Sequence, residues 1–428
     1  MGFLGRKSER PVKVRRIPTK RTLERLGDGA TGSFGAVTRL IEDRAVAVPA
    51  GTSDKKGWGQ YLDEDHKSTR QWGRYGTSAA VRALACVQRA TDPDNRLARR
   101  ASIRQLHPEL LPDGVPDEDP ALKTHDYNRV VKLAYIVEGV RPQETSIAED
   151  SEPEVVKHLI GLRHEGQDGW SSRDGGDSYR DRRLSTAVVL HALRRFPEAQ
   201  KDEHVREAYE WLAKEVQKEG VQIDLSALVG IALVEAGQPI RDLPEVGKAL
   251  TALDQRLVIW AKRQKRLALD RPYFNGFVEH DPATGRDSTD YVFLSPELLT
   301  ARYFLKRDLP KTRRFVLCVV AALVNNIEHN TANEMGGYKI QETMIRTVDQ
   351  AWAMDLLETF EAVRKEKPRD LLPRKTGWMT GFGVLISVWF ILLAGMAALL
   401  IATGEPLFPL IGIVLGVLFT LAMRSRSN

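Results

Sequence analysis

The sequence has 428 residues, of which 42% are hydrophobic and 28% charged, and its formal net charge at pH 7 is +6. This composition is that of a globular chain with one large domain or two smaller ones. The two cysteines, Cys86 and Cys318, lie far apart in apolar stretches. They exclude a disulfide framework and a CxxC metal site, and they suit a reducing compartment.

The first predicted segment is a basic N-terminal tail over residues 1–29. Its stretch GRKSERPVKVRRIPTKR carries eight Lys and Arg residues against Glu9 alone. No aromatic residue interleaves these charges, which disfavours nucleic acid as a partner. The segment also has no apolar core of the length that a secretory signal needs. A myristoylation motif would have Ser or Thr where this chain has Arg6.

After this tail, a pair made of Gly and an aromatic or apolar residue recurs along the chain. The second residues of the six pairs are 51 to 61 positions apart, a spacing typical of repeat architectures. Two pairs, Gly114-Val115 and Gly220-Val221, are weak copies without an aromatic residue. We assign a structural role in the repeat to the aromatic members of the other four, Trp58, Trp170, Phe277 and Tyr338.

Each pair precedes an apolar helix, and most pairs follow a more charged amphipathic helix. The apolar helices are predicted at 76–90, 128–140, 184–196, 224–237, 290–305 and 344–360. Several have Ser, Thr or Asp near the start, residues that cap helix N-termini. Repeated six times, this hairpin predicts an all-α fold, an (α/α)6 toroid over residues 30–362. Small residues such as Ala79, Ala80 and Ala83 would let six inner helices converge on one axis.

This pattern resembles the α/α-toroid of the terpenoid cyclase and protein prenyltransferase superfamily. In that superfamily, Gly-Gly-Trp or Gly-Gly-Phe motifs begin the loop before each inner helix. The stretch LRHEGQDGWSS resembles the squalene cyclase repeat, and NGFVEHDPATGRDSTDYVFLSPELL and GGYKIQETMIRTVDQAW resemble loop-and-helix units of prenyltransferase β subunits. The resemblance covers residues from about 30 to 362, and it implies the fold without implying a function.

The catalytic motifs that the resemblance would imply are missing. A prenyltransferase zinc site needs an Asp and a Cys two residues apart. Val292 stands where the thiolate after Asp290 would be, and Ala351 stands in the same place after Asp349. The DxDD, DDxxD and GCGEQ motifs of related toroids are also absent. We therefore expect no metal and no cofactor, and we favour a function without catalysis.

Polar residues crowd the loops that a toroid would gather at one mouth. The candidate mouth residues are Arg173, Asp174, Asp177, Tyr179, Asp181, His280, Arg286, Asp287, Asp290, Lys339, Glu342 and Arg346. They would face an unknown small-molecule or protein ligand. The alternative is a divergent enzyme acting on isoprenoids, or on sugars through paired carboxylates. In that alternative His280 is a general base or a ligand; otherwise it lies in a surface turn before Pro282.

The C-terminal region predicts a membrane anchor. Residues 378–403 contain no charge and are long enough to cross a bilayer, and a second apolar run ends at Met423. We predict two transmembrane helices over 378–424, after a basic linker at 363–377 and before a tail at 425–428. Because basic residues flank both ends of this hairpin, both termini are expected on the cytoplasmic side of the inner membrane.

The lipid bilayer is thus one expected partner, and a second copy of the chain is another. The pairs Ala394/Ala398 and Gly412/Gly416 would let spans from different chains pack closely and form homo-oligomers. Two roles for the hairpin stay open. It is a simple tether for a sensing module, or its spans assemble to breach the membrane, as in a bacterial stress or phage-defence effector.

Overall fold

The structure is a computed structural model of the chain. It describes residues 12–14, 18–47, 56–59, 61–62, 74–91, 129–139, 154–163, 168–171, 179–264, 267, 269, 274–281, 286–332, 336–339 and 345–372. The chain divides into two compact units, Met1–Leu372 and Pro373–Asn428, and the described residues all belong to the first. The predicted transmembrane helices at 378–424 and the tail at 425–428 therefore lie outside the described residues.

The described part of the chain is mostly helical, which confirms the all-α class in its coarse form. The helices are α1 (Lys20–Asp43), α2 (Arg74–Thr91), α3 (Arg129–Gly139), α4 (Glu154–Gly161), α5 (Tyr179–Leu193), α6 (Glu203–Val216), α7 (Ile223–Glu235), α8 (Gln238–Arg241), α9 (Pro244–Arg263), α10 (Pro296–Arg307), α11 (Arg313–Ala332) and α12 (Thr347–Glu366). Two antiparallel strand pairs join them, β1 (Val46–Ala47) with β2 (Lys56–Gly57), and β3 (Phe274–Asp281) with β4 (Arg286–Phe293).

Six helices contact one another in a closed order. The contacts run from α2 to α3, α5, α7, α10 and α12, and α12 contacts α2. We call these six the ring helices. Where their burial is described most completely, in α7, α10 and α12, side chains are buried around nearly the whole circumference. Such all-round burial requires neighbours on every side.

The remaining long helices each precede a ring helix in the chain and contact at least one ring helix. We call α1, α4, α6, α9 and α11 the outer helices, and each precedes a ring helix. In α1, α6 and α9 one face is buried and the other exposed, as the amphipathic pattern of charged residues predicts. The segment before α3 lies outside the described residues. The predicted alternation of amphipathic and apolar helices is thus present wherever both partners are described.

Close packing in the ring depends on small residues. Ala79, Ala80 and Ala83 of α2 are completely buried, as the sequence predicts. In α7, a Cβ added to Gly230 would lie 2.6 Å from a ring carbon of Tyr303 in α10, so this helix pair needs a glycine at its contact.

The domain begins earlier than the sequence indicates. Thr19 caps α1 at Lys20 with its side chain, so the boundary drawn between residues 29 and 30 falls inside a helix. Val12, in the predicted tail, is buried and exchanges two backbone hydrogen bonds with the Asn325 side chain of α11. At the other end, α12 continues to Glu366 and Leu371 is buried, so the predicted linker at 363–377 begins within the fold.

The β3–β4 hairpin is a second difference. The sequence predicts a helix over 290–305, but Asp290 and Val292 lie in β4 and the helix begins at Pro296, capped by Ser295. Two physical preferences explain this. Thr, Tyr, Val and Phe side chains at 289 and 291–293 favour a strand, and proline favours the first turn of a helix.

Among the described residues, one helical stretch, Pro310–Ala332, is long and apolar enough to cross a membrane. Half of its most apolar window is buried inside the protein, and α11 packs against α1 and α10. It is weak evidence for membrane association, because the core helix of a folded domain has the same composition.

Candidate functional site

Trp58, the first aromatic residue of the repeat, is clamped between two helices. Its backbone N–H donates to the Thr77 hydroxyl of α2 at 3.0 Å, and its indole Nε1–H donates to the Ile41 carbonyl of α1 at 2.6 Å. The side chain is buried. Trp58 therefore fastens the end of an outer helix to the start of the next ring helix.

Trp170 is held in the same way. Its backbone N–H donates to the Thr186 hydroxyl of α5, and its indole donates to the Leu159 carbonyl of α4, both at 2.9 Å. It is completely buried. The preceding Gly169 is needed for space, since a Cβ there would lie 2.1 Å from the Thr186 hydroxyl oxygen. The Gly-Trp pair thus has a physical reason: the glycine lets the threonine reach the tryptophan backbone.

Tyr338 is a third clamp of related design. Its N–H donates to Gln350 Oε1 of α12 at 2.7 Å, and Gln350 Nε2 donates back to the Tyr338 carbonyl at 2.6 Å. The phenol donates to the Leu269 carbonyl at 2.6 Å. Gly337 has φ +76°, a conformation that side chains other than glycine rarely adopt. The fourth aromatic member, Phe277, lies in β3 opposite Asp290.

The candidate mouth residues are only partly among the described residues. Arg173, Asp174, Asp177 and Glu342 lie outside the described residues. Tyr179 and Asp181 lie in the first turn of α5, His280 lies in β3, and Arg286, Asp287 and Asp290 lie in β4. His280 pairs in register with Asp287, so it belongs to a strand and not to the turn expected before Pro282.

The two remaining candidate mouth residues, Lys339 and Arg346, contact neighbouring residues of the fold. The Lys339 backbone exchanges hydrogen bonds with the Asn326 side chain. Arg346 is buried, and its Nε lies 2.5 Å from Asp349 Oδ2. Burial raises the pKa of Asp349 to about 6, although Arg346 acts to lower it. Arg346 therefore fixes the start of α12 within the core, which corrects its expected place at an exposed mouth.

The described structure brings a different set of charged side chains together between the ring helices. We call them the central network: Arg82 of α2, Glu138 of α3, His191 and Arg194 at the end of α5, Glu235 of α7, Arg302 of α10 and Asp355 of α12. Their side chains are at most 9% exposed. Each ring helix, or the residue directly after it, supplies at least one charge.

The ion pairs follow the order of the ring. Arg82 Nη2 lies 2.7 Å from Asp355 Oδ2, and Arg82 Nε lies 2.6 Å from Glu138 Oε2. Arg194 then contacts both Glu138 and Glu235. These pairs connect α12 to α2, α2 to α3, α3 to α5, and α5 to α7.

Arg302 completes the sequence of pairs. Its Nη2 lies 3.1 Å from Glu235 Oε2, and its Nη1 lies 2.8 Å from Asp355 Oδ2. The result is a closed circuit in which the sign of the charge alternates from one ring helix to the next. Because each charge has two opposite neighbours, the circuit is neutral and every buried charge is compensated.

His191 contacts two members of this circuit. Its Nδ1 lies 2.7 Å from Glu138 Oε1, and its Nε2 lies 3.0 Å from Arg302 Nη1. A neutral imidazole that donates through Nδ1 and accepts through Nε2 satisfies both contacts. Burial and the charge of Arg194 lower the pKa of His191 to about 4, although Glu138 acts in the opposite sense. His191 is therefore neutral at pH 7.

The carboxyl groups of the circuit stay ionised. Burial acts to raise the pKa of Asp355, but Arg302 and Arg82 outweigh it and hold that pKa well below the usual range. Arg302 and Arg194 have the same effect on the pKa of Glu235. Ionised carboxylates and guanidinium groups in a buried setting attract each other more strongly than they would in water.

Two further cations border the network and reach solvent. The Arg195 side chain is 24% exposed, and its Nη2 lies 3.7 Å from Asp355 Oδ1. The Lys306 side chain is 37% exposed, and its Nζ lies 2.9 Å from Glu235 Oε1. Both follow or lie near the C-terminal ends of ring helices, whereas the aromatic clamps lie before or near their N-terminal ends. These two cations thus lie towards the opposite helix ends from the aromatic clamps.

Cys86, Asp355 and Glu358 have ligand atoms within 4.8 Å of one another, a spacing that a metal ion could use. The charges around them oppose this use. Asp355 is paired with the guanidinium groups of Arg82 and Arg302, and a cation there would be repelled by both. We assign no metal to this cluster.

Sequence reasoning missed the central network, although a signal was present. Arg82, Glu138, Arg302 and Asp355 are single charges inside otherwise apolar helical stretches. Charged residues are almost never fully buried unless they are paired. Four such residues on different helices indicate buried ion pairs, even though the sequence alone does not say which residues pair.

No family model, no curated protein and no solved structure matches this chain. The likeness to the terpenoid cyclase and prenyltransferase toroids therefore rests on the sequence motifs.

Proposed function

We propose that this protein is a membrane-anchored binding module whose folded part is an (α/α)6 toroid. The observation that carries the proposal is the closed circuit of alternating charges, which follows the order of the six ring helices. A circuit that returns to its starting helix is what a closed ring around one axis would produce. The alternation of outer and ring helices along the chain supports the same architecture.

A binding role fits the centre of this ring better than terpenoid cyclisation does. A cyclase stabilises carbocations with the faces of aromatic rings. Here the Arg82 guanidinium already lies 3.8 Å from the ring centroid of Trp352. Arg194 and Arg302 are each held in ion pairs with two carboxylates, so this place is filled by paired charges and is not a cavity lined by free aromatic faces. The alternatives, a divergent cyclase or prenyltransferase-like enzyme or a glycosidase-like enzyme, therefore have less support.

The anchor is proposed from the sequence. The uncharged run at 378–403, the second apolar run and the flanking basic residues favour a hairpin with both ends in the cytoplasm. In a more specific form of this proposal, the small residues of the Gly412/Gly416 and Ala394/Ala398 pairs let spans from different chains associate into a homo-oligomeric membrane effector. In its simpler form the hairpin is a tether.

Membrane fractionation tests the anchor, with a chain shortened to residues 1–372 as the control. We expect the full chain to stay in the membrane fraction through high-salt and alkaline washes, because two apolar spans are not released by charge screening. The shortened chain should be recovered in the soluble fraction. Release of the full chain by salt would contradict the anchor.

An activity assay separates binding from catalysis. The full chain in detergent is incubated with prenyl diphosphates of several lengths, and release of pyrophosphate is measured. We expect no release above that of a heat-denatured sample. Turnover that depends on the folded protein would replace the binding proposal with the enzyme alternative.

A further inference from the structure

On the basis of the proposed binding function, we propose that the central network forms the floor of a site for a small oxyanion, a phosphate or carboxylate group. Arg195 and Lys306 stand at its entrance. Nothing in the sequence motifs assigns a ligand to this end of the ring helices. The inference rests on the hydrogen-bond donors of the network, and on the positive charge and solvent exposure of Arg195 and Lys306 at its edge.

The network has more donors than acceptors. Arg82 Nη1, Arg194 Nη2 and Trp352 Nε1 are buried N–H groups without a hydrogen-bond partner among the described residues. They belong to one locality, since Arg82 and Arg194 share Glu138 and the Arg82 guanidinium lies over the Trp352 ring. Leaving a buried donor unsatisfied costs about 1–3 kcal/mol. A ligand that offers only acceptor atoms fits these groups best.

The charge at this position also favours an anion. Arg82, Arg194 and Arg302 are balanced by three carboxylates within the circuit, and His191 is neutral. Arg195 and Lys306 add two positive charges at the edge of the circuit, whereas Glu358 is the additional carboxylate near Asp355. Among the described residues, one positive charge is left over at the partly exposed edge of the circuit, where an anion would neutralise it.

The position of the entrance to this site is inferred from the solvent exposure of the side chains around the circuit. The circuit itself is closed to solvent, but Arg195 and Lys306 are partly exposed and contact it from two ring helices, at the end of α5 and within α10. An oxyanion that entered between these two side chains would contact the guanidinium group of Arg195 and the ammonium group of Lys306. Guanidinium and ammonium groups of this kind bind phosphate and carboxylate through charge-assisted hydrogen bonds.

Binding is tested on the full chain in detergent with inorganic phosphate and with succinate as probes. Thermal unfolding is followed by circular dichroism, with sodium chloride at equal ionic strength as the reference. We expect at least one probe to raise the unfolding temperature above the chloride reference, because a ligand of the folded state stabilises it. A phosphate effect alone assigns a phosphoryl ligand, and a succinate effect alone assigns a carboxylate.

Matched variants locate the site. Arg195→Gln and Lys306→Gln should each weaken binding about tenfold in isothermal titration, the loss expected for one hydrogen bond to a charged group. Lys306→Arg should keep binding, since it preserves the charge. Lys248→Gln is the control, an exposed lysine of outer helix α9 that pairs with Glu245. No stabilisation by either probe, or equal affinity in the wild type and both Gln variants, would overturn the proposal.

Discussion

The charges of the central network can be buried because each one has two opposite neighbours. Arg82 lies between Asp355 and Glu138, and its pKa stays raised because those carboxylates outweigh the effect of burial, which alone would lower it. A buried ion pair adds little net stability, but removing one partner costs about 3–5 kcal/mol because the other charge is left uncompensated. The circuit therefore specifies which helices are neighbours more than it adds to stability.

His191 makes stability depend on pH. Its pKa is about 4 in the folded chain, against an ordinary value of 6.5. Between these values the unfolded chain binds a proton at this position that the folded chain does not, so stability falls as the pH falls through this window. The slope is at most about 1.4 kcal/mol per pH unit. We expect His191→Gln to remove this slope between pH 6.5 and 5, as measured by thermal unfolding.

The variant is suited to this measurement because a glutamine amide can donate to Glu138 and accept from Arg302, as the neutral imidazole does. The quantity to compare is the pH dependence of the unfolding temperature in the wild type and in the variant, because other groups titrate in both proteins. Asp349, whose pKa in the folded chain is about 6, has the opposite effect: its contribution to stability falls as the pH rises towards 6. Parallel pH profiles for wild type and variant would contradict the neutral buried histidine.

Helix periodicity predicted five of the six ring helices with bounds that differ from the observed ones by at most six residues. The sixth prediction, at 290–305, was wrong at its start, because strand-favouring side chains precede Pro296 and the helix begins there. A proline inside a predicted helix marks its first turn. The central network was harder to predict. A lone arginine in an apolar stretch indicates that a carboxylate partner exists, but the identity of that partner depends on how helices far apart in sequence pack against each other.

The aromatic clamps explain why the repeat begins with glycine. Gly169→Ala should lower the free energy of unfolding by about 1–3 kcal/mol, the cost of inserting a methyl group into a packed site. The physical cause is that the added Cβ would lie 2.1 Å from the Thr186 hydroxyl oxygen, which accepts the hydrogen bond from the Trp170 backbone N–H. Denaturant unfolding measures this change.

Gly32→Ala is the matched control. Gly32 lies within α1, and a Cβ there meets nothing within 4 Å. This substitution should stabilise the protein by up to about 1 kcal/mol, because alanine is the better helix former. Equal and small effects of both substitutions would mean that the clamp does not constrain the glycine.

In the whole molecule, the two units have different roles in the proposed function. The unit Met1–Leu372 contains the ring contacts and the circuit, whereas the unit Pro373–Asn428 contains the uncharged run at 378–403 that is proposed to enter the membrane. The two proposals fail independently. Loss of membrane retention would leave the ring unaffected, and failure of oxyanion binding would leave the anchor unaffected.

The pair that closes the circuit is Arg82 with Asp355. These residues are 273 positions apart in the chain and join the first ring helix to the last. A double-mutant cycle with Arg82→Leu and Asp355→Leu, measured by thermal unfolding of the full chain in detergent, tests the closure of the circuit directly. We expect each single change to be strongly destabilising and the double change to cost clearly less than their sum, with a coupling of at least about 1.5 kcal/mol. Additivity within about 0.3–0.5 kcal/mol would mean that these residues do not meet and that the ring does not close there.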